Sequence, residues 1–292
     1  MTERETKDSL ISEEEFHLLR DLICREFGIS LKGDRRLTLH TKISHRLGVL
    51  GLPSYRDYYE YIIRDSTREE LFALASHITN NETYFFREKS QLDTFSLLLP
   101  DIKKNIQLKN KKTLRILSLA CSSGEEAYTL NIIIQESGLF AWNWETNIIG
   151  IDIDRIALAK ARHAYYTKNS FRGINGNAGE FNKDFIRKYF LYREEQYALR
   201  NFYMRNIEFR HGNILDCKSF EDLKDIDVIF CRNVIIYMSD TSIEKAVGNI
   251  HNSLSDNGYL FVGSSESLIN KTGLFVPEYI NSTIVYRKNV QN

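Results

Sequence analysis

The sequence has 292 residues, of which 42% are apolar and 12% aromatic, enough to bury one large core or two modest ones. Its 39 basic and 39 acidic side chains cancel, so the net charge favours neither a nucleic-acid nor an acidic partner. The charged N-terminus is unlike a signal peptide and no apolar stretch approaches the roughly 20 residues that cross a bilayer, so we expect a cytoplasmic protein without membrane insertion.

The first part of the chain shows helical patterns and no strand pattern. Capping residues precede three of four predicted helices: Ser12 with Glu15, Ser54, and Thr67 with Glu70. The first helix is expected to end at Gly28, and the second to cover about 35–49. Residues 1–78 are therefore predicted to form an all-helical domain, followed by a linker at 79–92.

After the linker, apolar runs alternate with helical patterns, which favours a parallel sheet with right-handed crossovers. Five strands are predicted, at about 114–120, 147–152, 207–211, 226–231 and 258–263. Asp154 is expected to cap a helix that reaches Tyr166, Thr241 to open the helix after the fourth strand, and 275–288 to form an antiparallel hairpin. Residues 93–292 are therefore predicted to form an α/β domain, with a long insertion at about 167–206.

The segment Leu114–Tyr128 combines a buried strand, a turn of small residues and a helix that opens with Glu125 and Glu126. A second buried strand ends at Asp152, where an acid commonly accepts from ribose hydroxyls in open α/β sheets. The turn lacks the GxGxxG fingerprint, and the two glutamates would repel a pyrophosphate. A cationic ligand fits better, which favours S-adenosylmethionine over a dinucleotide.

Four segments in order resemble the CheR-type chemotaxis receptor methyltransferases: 79–88 (TNNETYFFRE), 120–126 (ACSSGEE), 227–237 (DVIFCRNVIIY) and 263–267 (GSSES). The resemblance covers nearly the whole chain. It implies a Rossmann-like, S-adenosylmethionine-dependent methyltransferase domain with a small inserted β-subdomain, preceded by an all-α receptor-docking domain. Two departures, Ser123 for the usual Thr and Ala127 for the usual Pro, do not threaten cofactor binding, and a third, Ile214 for the usual Leu, is conservative.

The resemblance implies a cofactor site assembled from several segments. Its expected residues are Asn81, Thr83, Arg87, Glu125, Asp152, Asn213, Ile214, Asn233 and Val234. Glu125 would accept from the methionyl ammonium, Asp152 from the ribose, and Asn213 with Ile214 would flank the adenine. Ordinary alternatives stay open: a surface cation for Arg87, a helix N-terminal acid for Glu125, a plain turn acid for Asp152 and a turn residue for Asn213. For Glu126 the helix-terminus interpretation is favoured.

Two residues near the end of the fourth strand are candidates for a catalytic, positioning role. Arg232 would either screen the substrate carboxylate or pair with a nearby acid. Tyr237 resembles a family tyrosine near the transferred methyl, with a core aromatic as the alternative. No general base is expected, because a glutamate carboxylate is already ionised at neutral pH.

A local basic cluster lies in the helical part despite the neutral total charge. Its members are Lys32, Arg35, Arg36, Lys42 and Arg46. By resemblance they would dock the acidic cytoplasmic helices of a chemoreceptor; the alternative is an ordinary solvated helix face. Lys42 and Arg46 are one turn apart and would face the same way.

We predict transfer of a methyl group from S-adenosylmethionine to receptor glutamates, with S-adenosylhomocysteine as the product. The alternatives are a methyltransferase with another acceptor and a non-catalytic adaptor that binds S-adenosylmethionine. A nucleic-acid acceptor is disfavoured because Arg232–Ile235 lacks the Asp/Asn-Pro-Pro-aromatic motif. No metal is expected, since the four scattered cysteines lack zinc-ligand spacing. The sequence leaves the oligomeric state open.

Overall fold

The computed structural model describes residues 10–31, 33–174 and 182–289. The chain divides into two compact units, with the boundary after Asn80 and with Tyr237–Ser239 grouped with the first unit. Among the described residues, no helix combines the length and the apolar character that a membrane crossing requires.

The described part of the first unit contains four helices: α1 (Glu13–Phe27), α2 (Arg36–Leu50), α3 (Tyr55–Arg64) and α4 (Glu69–Ile78). The predicted capping box of α1 is confirmed, since Ser12 accepts from the N–H of Glu15 and the Glu15 side chain accepts from Ser12. Ser54 likewise caps α3. Local hydrogen bonds of this kind depend on a few adjacent residues, which is why the sequence predicts them.

The predicted capping box of Thr67 with Glu70 is wrong, although the Thr67 hydroxyl accepts from the N–H of Glu69 (3.4 Å). The helix begins at Glu69, and Arg68 precedes it in the left-handed region without a capping side chain. Asp65 takes over, because its carboxylate accepts from the N–H groups of Thr67 (2.9 Å) and Glu70 (2.9 Å). The Glu70 side chain is therefore available to the core, where it accepts from Tyr58 (2.8 Å).

Six further helices lie in those residues of the second unit that the structure describes: α5 (Lys89–Leu108), α6 (Glu125–Ser137), α7 (Arg155–His163), α8 (Lys183–Tyr189), α9 (Asn201–Met204) and α10 (Asp240–Ser253). Its strands are β1 (Thr113–Leu119), β2 (Glu145–Asp152), β3 (Tyr165–Tyr166), β4 (Phe190–Arg193), β5 (Gln196–Leu199), β6 (Ile207–His211), β7 (Ile226–Cys231), β8 (Leu254–Val262), β9 (Phe275–Ile280) and β10 (Thr283–Lys288). The predicted alternation of strands and helices is confirmed, and so is the closing hairpin.

The main sheet has the order β6-β2-β1-β7-β8-β10-β9. The strands from β6 to β8 pair in parallel, and β10 pairs antiparallel with both β8 and β9. The order reverses direction between β1 and β7. The crevice outside the carboxyl ends of strands at such a switch point is where open α/β sheets bind ligands. This topology confirms the Rossmann-like expectation.

A second sheet of three antiparallel strands, in the order β3-β5-β4, confirms the small β-subdomain. Residues 175–181 of the predicted insertion lie outside the described residues. The α7 helix stops at His163 rather than at Tyr166, because Tyr165 and Tyr166 pair with Ala198 and Tyr197 of β5. Similarly, α10 begins at Asp240, so Thr241 lies inside that helix and does not open it.

Candidate cofactor site

The turn after β1 brings the backbone close to the switch point. Ala120, Ser122 and Gly124 all have positive φ values, of 54°, 49° and 89°. The N–H of Cys121 donates to Ile151 of β2 (3.1 Å), which ties the turn to the neighbouring strand. A tight turn of small residues leaves room for a ligand against its backbone.

Glu125 is buried at the first position of α6, with 2% of its surface exposed. Two hydroxyls donate to its carboxylate: Ser123 Oγ to Oε2 (2.7 Å) and Ser170 Oγ to Oε1 (2.9 Å). Burial raises the pKa of Glu125 above its ordinary value, while both serines oppose that rise. A buried carboxylate whose two oxygens accept from neutral hydroxyls is suited to receiving a cation.

Asp152 ends β2 and is also buried. Its Oδ2 accepts from the N–H of Ser122 (2.7 Å) and its Oδ1 accepts from the N–H of Asp154 (2.8 Å). Asp154 caps α7 as predicted, accepting from Ile156 (2.8 Å). Backbone N–H groups that follow β1 and β2 thus orient the carboxylate of Asp152.

Burial raises the pKa of Asp152 from 3.8 to about 6, although the two N–H donors oppose the shift. The folded state then binds a proton that the unfolded chain has lost, so this group contributes stability below about pH 4 that disappears as the pH rises through about 6.

Replacing Asp152 with asparagine should remove this contribution. Between about pH 4 and about pH 7, the free energy of unfolding of the Asp152→Asn variant should fall by about 2 kcal/mol less than that of the unmodified protein. Urea unfolding from about pH 4 to about pH 7 measures it.

The control for that experiment is Asp184→Asn, because Asp184 is an exposed aspartate in the first turn of α8. It should retain the pH dependence of the unmodified protein. An Asp152→Asn variant with the same pH dependence as this control would contradict the expectation.

The segment after the first unit joins the same edge of the sheet. Asn81 Nδ2 donates to Asp154 Oδ2 (2.5 Å), and its carbonyl accepts from Ser122 Oγ (3.4 Å). Thr83 is half-buried. The Arg87 guanidinium donates to the carbonyl of Glu82 and lies 5.7 Å from the centre of the Tyr84 ring. The structure thus brings Asn81 to the turn and to Asp154, whereas the guanidinium of Arg87 contacts the neighbouring Glu82 and Tyr84.

Asn213 follows β6, and the N–H of Gly212 donates to the carbonyl of Asp152 (3.0 Å), so β6 and β2 end together. Asn213 Oδ1 accepts from the N–H of Leu215 (2.9 Å), which is the turn role that the sequence left open. Ile214 is 8% exposed. The predicted adenine contacts of both residues remain predictions.

Arg232, at the end of β7, is enclosed between two acids that sequence reasoning did not assign to the site. Only 3% of its side chain is exposed, and it lies 3.1 Å from Glu126 and 3.2 Å from Glu88. It also donates to the carbonyl of Arg87 (2.7 Å). Of the two alternatives for Arg232, the structure shows the ion pair.

Glu126 lies in the first turn of α6, as the helix-terminus interpretation predicts, but it also belongs to this ion-pair network. Its carboxylate accepts from Ser118 Oγ (2.7 Å) and from Arg232, because the start of α6 faces the end of β7. Burial raises the pKa of Glu126, and Arg232 opposes that rise. Burial alone would also raise the pKa of Glu88, but Arg232 and Asn233 hold it below its ordinary value.

Asn233 adopts a positive φ of 58°. Its Nδ2 donates to Glu88 (2.9 Å), and its N–H donates to Glu266 (2.7 Å). Glu266 also accepts from the N–H groups of Gly263 (2.6 Å) and Ile236 (3.1 Å). The segment that carries Asn233 and Val234 is thereby attached to the end of β8. The only sequence signal for Glu266 was its place in the fourth resemblance segment.

Tyr237 groups with the first unit and is 40% exposed, which contradicts the alternative that it is a core aromatic residue. Its hydroxyl accepts from Asn80 Nδ2 (3.2 Å), and its carbonyl accepts from the N–H of Ser30 (2.7 Å). A positioning role for Tyr237 stays a prediction.

The predicted docking cluster is only partly available to a receptor. Lys42 Nζ donates to the carbonyl of Ile78 (2.8 Å), and burial lowers the pKa of this lysine. Arg46 forms a two-pronged ion pair with the buried Glu70. Of the other members, Arg36 pairs with Asp34, Arg35 is exposed, and Lys32 lies outside the described residues. Lys42 and Arg46 face the same way, as predicted, but both have partners in α4. A docking role for the cluster stays a prediction.

Comparison with protein families decides the identity of both units. Residues 81–284 match "CheR methyltransferase, SAM binding domain", and residues 14–79 match "CheR methyltransferase, all-alpha domain". The chain belongs to the CheR methyltransferase family. S-adenosylmethionine is accordingly the cofactor of its second unit, and the buried carboxylates of Glu125 and Asp152 fit that cationic, ribose-containing molecule.

Curated relatives resemble this CheR-family chain over most of its length. It is 31% identical to chemotaxis protein methyltransferase 2 of Vibrio cholerae, over 95% of this chain and 94% of that protein. It is 28% identical to the chemotaxis protein methyltransferase of Borreliella burgdorferi, over 96% and 95% of the two chains. For chemotaxis protein methyltransferase 2 of Pseudomonas aeruginosa, the identity is 30% over 89% of each chain.

Proposed function

We propose that this protein transfers the methyl group of S-adenosylmethionine to glutamate side chains of chemoreceptors, producing glutamate methyl esters and S-adenosylhomocysteine. The observation that carries the proposal is the buried Glu125 carboxylate at the switch point of a chain that belongs to the CheR family. The relatives named as chemotaxis protein methyltransferases support the receptor as the acceptor.

The residues would divide the recognition of the methyl donor between them. Glu125 would accept from the methionyl ammonium and Asp152 from the ribose hydroxyls, beside the amide of Asn81. Asn213 and Ile214 would flank the adenine. The remaining proposed contacts come from Thr83, Arg87, Asn233 and Val234.

S-adenosylmethionine supplies a methyl group already activated by its sulfonium, and the acceptor glutamate is already ionised. The protein therefore has to align the two groups and exclude water. Arg232 would act by positioning, because its ion pairs hold the end of β7 against α6 and the segment around Arg87. Tyr237 would orient the acceptor, and the exposed Arg35 with Arg36 would attract acidic receptor helices.

The test is incubation of the full chain with tritiated S-adenosylmethionine and chemoreceptor-containing membranes, scoring base-labile methyl esters on the receptor. The Glu125→Gln variant should lose at least about tenfold in labelling, because it removes the charge that pairs with the ammonium. Ser123 and Ser170 can still hydrogen-bond to the amide, so the fold should survive.

Glu278→Gln is the matched control, since Glu278 is an exposed glutamate on β9. Full labelling by this control with loss in Glu125→Gln supports the proposal. Binding of S-adenosylmethionine without any labelled receptor would contradict it and support the adaptor. Base-stable label would show a different acceptor group.

A further inference from the structure

Strand β3 and the chain that follows it are attached to the turn after β1 (residues 120–124, the cofactor turn), to Glu125 directly after it, and to Phe85. Tyr166 Oη donates to the carbonyl of Ser123 (2.9 Å). The N–H of Phe85 donates to the carbonyl of Ser170 (2.8 Å), and Ser170 Oγ donates to Glu125 Oε1 (2.9 Å). Ser170 is 45 residues away from Glu125 along the chain, in a 3₁₀ turn at Lys168–Ile174.

Aromatic packing holds this turn in place beside Ser170. The ring of Phe171 stacks on Phe85, with centroids 5.4 Å apart and planes 7° from parallel. Its edges meet Phe190 of β4 (4.8 Å) and Tyr197 of β5 (5.2 Å). Phe171 is 1% exposed, so the backbone of Ser170 is anchored to the core of the small sheet.

Of the two hydroxyls on Glu125, Ser123 belongs to the cofactor turn itself, two residues before the acid. Ser170 comes from the other side and occupies the second carboxylate oxygen. With both oxygens held, the plane of the carboxylate is defined before a ligand arrives. Preorganisation of this kind reduces the entropic cost of binding.

We propose that Ser170 is a positioning residue for the methyl donor: its hydroxyl holds the Glu125 carboxylate in the orientation that receives the methionyl ammonium. The proposal rests on the proposed function, because it takes Glu125 as the ammonium acceptor. It makes the inserted segment, in addition to the turn after β1, a determinant of cofactor affinity.

The charged and titratable groups around Glu125 determine how cofactor affinity should depend on pH. Besides the two serines, Arg172 from the same 3₁₀ turn favours the ionised carboxylate. Tyr166, Tyr128 and Cys121 face it as neutral groups whose own pKa values are raised by burial. Loss of the Ser170 hydroxyl should raise the pKa of Glu125 further, so affinity for the cationic amino group should fail at a higher pH.

The experiment is titration calorimetry with two ligands, S-adenosylhomocysteine and 5′-methylthioadenosine, which lacks the amino-acid part. The Ser170→Ala variant should bind S-adenosylhomocysteine about tenfold more weakly, as expected for loss of a hydrogen bond to a charged group. Its affinity for 5′-methylthioadenosine should be unchanged. The pH at which S-adenosylhomocysteine affinity falls by half should move upward.

Two controls separate the hydroxyl from the fold of the segment. Ser170→Thr keeps the hydroxyl and should restore affinity to within about twofold. Asn169→Ala changes an exposed side chain of the same turn and should have no effect. Combining Ser170→Ala with Glu125→Gln should weaken S-adenosylhomocysteine binding no more than Glu125→Gln alone, because the hydroxyl acts through that carboxylate.

The outcomes distinguish this proposal from the proposed function. If Glu125→Gln weakens S-adenosylhomocysteine binding and Ser170→Ala does not, the positioning role is wrong and the assignment of Glu125 stands. Equal weakening of both ligands by Ser170→Ala would show a merely structural serine and overturn the proposal. If Glu125→Gln changes nothing, the ammonium assignment and the positioning role both fail.

Discussion

Replacing Gly124 with alanine is expected to lower the free energy of unfolding by about 2–4 kcal/mol and to abolish cofactor binding. Gly124 has a φ of +89°, where a side chain is strained. An added Cβ would lie 2.9 Å from Ala161 Cβ and 2.9 Å from Phe209 Cζ. The turn would have to move away from α7 and β6, and Glu125 would move with it. Urea unfolding and calorimetry with S-adenosylhomocysteine measure the two effects.

Gly138→Ala is the matched control, because Gly138 ends the same helix that Gly124 begins. It also has a positive φ, of +63°, but no atom lies within 4 Å of the added Cβ. This variant should be destabilised by only about 1 kcal/mol and should bind the cofactor normally. Equal destabilisation of the two variants would show that backbone strain, and not packing, makes Gly124 necessary.

Replacing Arg232 with methionine should cost about 3–5 kcal/mol in the free energy of unfolding, the largest effect that we expect from a single substitution. Methionine fills much of the volume but leaves Glu88 and Glu126 facing each other without a cation. The carbonyl of Arg87 also loses its donor. The segments that carry the proposed cofactor contacts would separate, so binding of S-adenosylhomocysteine should weaken as well.

Lys111→Met is the control for a surface ion pair. Lys111 lies 3.0 Å from Asp225, but both side chains are at least half exposed, so this change should cost less than about 1 kcal/mol. A loss of similar size in both variants would contradict the assignment of Arg232 to a buried network.

The Arg232→Met deficit should also depend on pH. Without the guanidinium, burial raises the pKa of both carboxyls above that in the unfolded chain, so the folded variant takes up protons that the unfolded chain does not. The loss in the free energy of unfolding should therefore become smaller as the pH is lowered from about 8 to about 5, as measured by urea unfolding. A deficit that is constant over this range would mean that lost packing, and not unpaired charge, causes it.

Local sequence patterns determined much of the architecture. The capping residues Ser12, Ser54 and Asp154 act on N–H groups two or three positions away, so adjacent residues specify their contacts. Runs of apolar residues likewise located the parallel strands, because such a run lies within a few consecutive residues. The error at Thr67 shows the limit of such patterns: the carboxylate of Asp65, and not the hydroxyl of Thr67, accepts from the N–H of Glu70.

Tertiary structure decided the partners of the charged residues. The sequence left Arg232 with two interpretations and assigned Glu126 to a helix terminus, since nothing local shows that α6 begins opposite the end of β7. Lys42 and Arg46 had the spacing of a basic helix face, but α2 turns both toward α4. A buried charged side chain needs an oppositely charged or hydrogen-bonding partner. That partner is often distant in the sequence, so local patterns do not identify it.

The family and the cofactor could thus be predicted from the sequence, because both depend on motifs of consecutive residues. The hydrogen bond between Ser170 and Glu125 could not be read there, since it joins residues from separate elements. The strand order that brings β1, β2, β6 and β7 to one edge, together with the aromatic packing of Phe171 on Phe85, decides that contact. Long-range packing therefore determines how the proposed site is oriented, whereas local sequence determines which residues are present to form it.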